Sequence, residues 1–202
     1  MSRHPLSRRG GPAAPDALPL LGRGSHRRPS EGSCLMEYVS VLAGTHFTDR
    51  PRCTHPLVAR LARMVNDTVD DSARHRLIRI APELLGTRTR DARLVSLVLG
   101  HLAVAGLEID ADDARLHHVV RRARAYSDLR RRRTTARRLV RRGVLRVALI
   151  ADVPVALQRT KTLCRRLDDA ERDRRLVGLL TDTARSVRTH LGHPRLTATA
   201  TL

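Results

Sequence analysis

An all-α fold, a single antiparallel bundle of about seven or eight helices, follows from three features of the sequence. Leu, Val, Ala and Ile recur at spacings of three and four from residue 34 to residue 191, the pattern of one apolar helix face. Ser, Thr or Asp stands ahead of most stripes and glycine behind several of them, where caps and left-handed terminators belong. The 202 residues are 41% hydrophobic but 1% aromatic, so the core must be aliphatic. A HEAT-like stack of helix pairs is the alternative arrangement.

In chain order, residues 1–33 are rich in Arg, Gly, Pro and Ser without apolar periodicity. They are expected to form a flexible arm, because they bury too little surface to offset chain entropy. Ser33 caps a helix from Cys34 to Ala43, carrying Leu35, Val39 and Leu42 and stopped by Gly44. After a loop containing Pro51, Thr54 caps a second helix from Pro56 to Val69, with proline tolerated in the first turn. Asp70 or Asp71 opens a third, with Leu77, Ile80 and Leu84 before Gly86.

Residues 92–105 are apolar nearly all round, which suits the middle of a bundle. Asp110 to Asp113 opens a helix with Leu116, Val119, Val120 and Ala123 inward, and Asp128 caps another that ends at Gly143. Val144 to Ala151 reads as a short helix, and Pro154 begins one running to Leu167. Asp168 or Asp169 caps the last, with Leu176, Leu180, Ala184, Val187 and Leu191 on one face. The helical domain is thus 34–191, and 192–202 is expected to fray.

Most of the chemistry-bearing residue types fall between Cys34 and Pro56, which holds Tyr38, Phe47 and two of three cysteines. Cys34, Glu37, Asp49, Cys53 and His55, with His46, supply enough ligand types for one zinc ion. However, neither a Cys-x2-Cys nor a His-x3-His pair is present, so the spacing is not a standard zinc motif. A thiol site, with Cys53 activated by His55 and oriented by Glu37, uses the same residues. The plainer reading is a helical corner in which the cysteines pack as small hydrophobes and the aromatics anchor the core.

The run C-L-M-E-Y-V-S-V-L-A-G, then F-T-D-x-P-x-C-T-H-P, then L-A-R-x-V-N-D (Leu61 to Asp67) resembles a family of hypothetical proteins from high-GC bacteria. The resemblance covers Cys34 to about Gly86 and implies an intact domain. That family has no assigned activity, so the resemblance carries no catalytic residues over.

Charge is distributed unevenly. The net charge is +19, and only one of 39 basic residues is lysine, a mark of a GC-rich genome. Residues 115–146 hold thirteen arginines against Asp128 alone, and codon bias does not by itself segregate charge in this way. Arg130, Arg131, Arg132, Arg133, Arg137, Arg138, Arg141 and Arg142 are expected to cover one helix surface, where guanidinium groups bind phosphate or carboxylate. An acidic protein, nucleic acid or an anionic membrane surface would each suit such a face, and a solvated surface is the plain alternative. No aromatics are interleaved, which argues against stacking on single strands.

Residues 147–159 echo a helix-turn-helix, although Asp152 stands where the turn usually has glycine and Gln158 where an apolar residue is expected. These features favour a non-catalytic protein that binds an anionic partner, with nucleic-acid binding second and a Cys/His metal or thiol site third. Three cysteines without a secretory pattern suggest reduced thiols and a cytoplasmic location. No apolar run approaches the ~20 residues needed to span a bilayer.

Overall fold

The computed structural model describes residues 18–131 and 136–193, with the side chains of 129–131 and 136–138 outside that description. Eight α-helical segments occur among the described residues: α1 (Leu35–Leu42), α2 (Pro56–Thr68), α3 (Asp71–Arg76), α4 (Ala81–Leu84), α5 (Arg93–Leu107), α6 (Ala114–Arg131), α7 (Ala136–Cys164) and α8 (Asp169–His190). The only β pairing there is an isolated bridge between Leu21 and Ser33. The fold is an all-α bundle, as the aliphatic periodicity predicts. Helix lengths do not repeat pairwise, as a stack of helix pairs would require.

The apolar α5 is central. It packs on α2, α6, α7 and α8, with Leu94, Val98, Leu99 and Leu102 fully buried. Gly106 lets α5 approach its neighbours closely, because a Cβ there would overlap Leu116 of α6 and press on Thr160 of α7. Ion pairs reinforce the α6–α7 contact: Arg122 meets Asp152 at 2.9 Å, and Arg159 meets Asp113.

Caps lie close to their expected places. Asp70 and Asp168 accept hydrogen bonds from backbone N–H groups in the first turns of α3 and α8. Asp113 does the same for Arg115 and Leu116 at the start of α6. Two caps move by one residue, Cys34 replacing Ser33 and His55 replacing Thr54. Thr54 instead donates its hydroxyl to the Leu84 carbonyl.

Two expectations are corrected. Residues 18–33 are not a free arm but a strap held against α1 and α2. Gly22 and Ser33 pair through their backbones, Asn66 Nδ2 donates to the Gly22 carbonyl at 2.9 Å, and Arg23 donates to the Val69 carbonyl. The strap lacks apolar period because polar groups supply most of its contacts, with Leu21 its one member of the hydrophobic core cluster. Residues 1–17 and 194–202, the rest of the expected arm and tail, lie outside the described residues.

The second correction concerns α7. Neither Asp128 nor Gly143 nor Pro154 bounds a helix there: α6 runs through Asp128, and α7 runs unbroken through Gly143 and Pro154. Leu149, Val153, Ala156, Thr160, Leu163 and Cys164 are all buried and keep one helical phase across the proline. Pro154 leaves the Ile150 carbonyl without its helical donor, but both residues are exposed, so water can satisfy it. The turn of a helix-turn-helix at 147–159 is therefore absent.

Candidate binding face and clefts

The Cys34–His55 corner separates into structural roles. Cys34 caps α1, accepting from the Glu37 N–H, while Glu37 Oε2 accepts from the Cys34 N–H at 2.7 Å. Glu37 is 1% exposed and also binds the strap, accepting from the His26 N–H at 2.8 Å and lying 3.1 Å from His26 Nδ1. Burial, reinforced by the Glu37 charge, pushes the Cys34 thiol up to about 12, so it stays protonated and unreactive. Asp49 lies 3.7 Å from Arg63, and the half-buried Cys53 Sγ is 3.8 Å from Thr54 Oγ1. His55 Nδ1 accepts from the Leu57 N–H at 3.2 Å as the cap of α2. Burial and the neighbouring Arg88 lower its pKa, which keeps the ring neutral. Among the described residues no three Cys, His, Asp or Glu side chains converge as a metal ion would require. His46 is exposed on the loop. Sequence reasoning missed His26, whose only signal is a histidine in a polar run.

The arginine face is partly visible. Arg132 and Arg133 lie outside the described residues, as do the side chains of Arg130, Arg131, Arg137 and Arg138; Arg131 closes α6, and Arg137 and Arg138 belong to the first turn of α7. Arg141 is exposed and Arg142 half-buried. Between and beyond them the structure reveals an apolar stripe that charge counting alone does not show. Leu139, Val140, Val144, Val147, Ile150 and Val155 supply six of the ten large exposed apolar side chains among the described residues. Val140 is 70% exposed and Val147 69%. At 100° per residue they fall on the side of α7 opposite Leu149, Val153 and Ala156, with Arg141 bordering one edge and Arg146 the other.

Two clefts flank the central helices. One, of about 800 Å³, is lined by Ser96, Gly100 and His101 of α5, Ser127 and Asp128 of α6, and His190 of α8. Burial lowers the His101 pKa, partly offset by Asp182. His190 Nε2 lies 3.0 Å from Asp91 Oδ2, and the Ser96 and Ser127 hydroxyls are 3.5 Å apart. Neither serine hydroxyl hydrogen-bonds a histidine among the described residues, so no nucleophile–base pair is formed. The second cleft, of about 840 Å³, lies where α2 and α5 begin. Its wall includes His55, Arg88, Arg90, Asp91, Arg146 and Ile150.

Compared with known proteins, the chain matches no family model, no curated protein and no solved structure. No described helix is long and apolar enough to cross a membrane.

Proposed function

We propose that this is a non-catalytic binding protein whose α7 docks an acidic amphipathic helix of a partner protein. The observation that carries the reading is the exposed Leu139–Ile150 stripe on the outer side of α7, bordered by Arg141 and Arg146. Valines at spacings of four and three accept the apolar face of a second helix, and flanking guanidinium groups suit Glu or Asp beside that face. A second copy of this chain fits less well, because it would set arginine against arginine. Phosphate contacts alone would need the charges but not the stripe.

The test is binding of a synthetic acidic amphipathic helical peptide, followed by fluorescence anisotropy as salt is raised. Affinity should fall with salt and should weaken further in the Arg141→Gln, Arg146→Gln double variant. Binding indifferent to both salt and these substitutions overturns the reading. Nucleic acid is the second reading, supported by the thirteen arginines gathered in residues 115–146. Duplex DNA displacing the peptide with a steep salt slope would favour it.

A further inference from the structure

The cleft at the starts of α2 and α5 shares Arg146 and Ile150 with the α7 docking face but adds Arg88, Arg90 and two helix N-termini. Arg88 and Arg90 enter it from the link between α4 and α5, and Arg146 enters from α7. Among the described residues none of the three guanidinium groups makes an ion pair or a side-chain hydrogen bond, so their charge is uncompensated. The one acid in the wall, Asp91, is already engaged, accepting from the Arg93 side chain and backbone and lying 3.0 Å from His190. Burial opposes its ionisation, but these hydrogen bonds outweigh burial and hold the carboxyl well below the ordinary range. Both helices that begin there, of 13 and 15 residues, turn their positive ends toward the cleft. His55, neutral as the cap of α2, adds a ring nitrogen without adding negative charge. Pro56, Ala92, Val95 and Ile150 form an apolar wall. A volume of about 840 Å³ lies within the usual size of a small-molecule site.

From this arrangement we infer that the cleft binds a small phosphate-bearing organic molecule of mononucleotide size, its phosphate held by Arg88, Arg90 and Arg146 and its uncharged body against Val95 and Ile150. Three arginines lining one cleft match the charge and the bidentate bonding of a phosphate monoester better than those of a single carboxylate. The inference does not rest on the α7 reading: Arg146 and Ile150 border both surfaces, but Arg88 and Arg90 belong to the cleft and not to the docking face.

The test is calorimetric titration of the full chain with adenosine monophosphate, inorganic phosphate and adenosine. Adenosine monophosphate should bind, inorganic phosphate should compete with it more weakly, and adenosine should give no heat. The Arg88→Gln, Arg90→Gln double variant should lose about ten- to a hundredfold in affinity for adenosine monophosphate. It should melt like the parent, because both residues are exposed, and should keep its affinity for the acidic peptide. Adenosine binding as well as its monophosphate, or the double variant binding unchanged, overturns the inference. Absence of binding by both phosphate compounds at millimolar concentration overturns it too.

Discussion

His55 joins three levels of the structure through one side chain: it caps α2, borders the arginine-lined cleft and belongs to a sequence window rich in metal-ligand types. Its cap role was not legible, because Thr54 beside it is the better capping residue on propensity alone. Tertiary packing decided otherwise, drawing the Thr54 hydroxyl to the Leu84 carbonyl and leaving the imidazole to cap. Because its folded pKa lies below the ordinary value near 6.5, the native state binds fewer protons at this site than the unfolded state does. Its contribution is fully present above about pH 6.5 and is lost as pH falls through the folded pKa. His55→Asn keeps a capping acceptor and removes the titration. Urea denaturation should give the two proteins stabilities within about 1 kcal/mol at pH 8. Between pH 7 and pH 5 the parent should lose stability relative to the variant. Parallel pH profiles would contradict this account. The Cys34–Glu37 pair was half legible: their shared face follows from i,i+3 spacing, but the strap that Glu37 holds does not.

At the level of the element, α7 shows where local signals mislead. Gly143 and Pro154 both carry the marks of helix boundaries, and in isolation each would end a helix. The buried stripe from Leu149 to Cys164 overrides the proline, since breaking the helix there would unpack residues against α5 and α6; ahead of it, the half-buried Leu145 packs on the core just past Gly143. This makes two substitutions informative. A Cβ at Gly143 meets nothing within 4 Å, and its φ is not positive, so Gly143→Ala should raise stability by about 0.5–1 kcal/mol. Pro154→Ala should raise it by about 1–3 kcal/mol, because the Ile150 carbonyl regains a donor. With a helix end at Gly143 the alanine would be strained, and with a helix start at Pro154 the proline would cost nothing. Thermal or urea denaturation distinguishes the two arrangements by the sign at Gly143 and by the size of the gain at Pro154.

For the whole molecule, the bundle and its central α5 were legible because aliphatic period and burial agree along most of the chain. The strap was not, because no apolar pattern announces it. It is fixed by Asn66, Asp67 and Glu37 acting at sequence separations from 11 to 44 residues. Removing residues 1–30 should therefore lower the unfolding free energy by about 3 kcal/mol or more, since it strips partners from the buried Glu37 and Asn66. An unchanged melting temperature would show that the strap is dispensable. The charge excess in residues 115–146 was legible by counting, but the apolar stripe was not, because valines on a helix read as core until the buried side is known. That stripe carries the proposed function, so the most direct test replaces it and leaves every arginine in place. In a Val140→Ser, Val144→Ser, Val147→Ser variant, affinity for the acidic amphipathic peptide should fall about tenfold or more, with duplex DNA binding and overall helicity unchanged. Full peptide affinity in this variant would contradict the account.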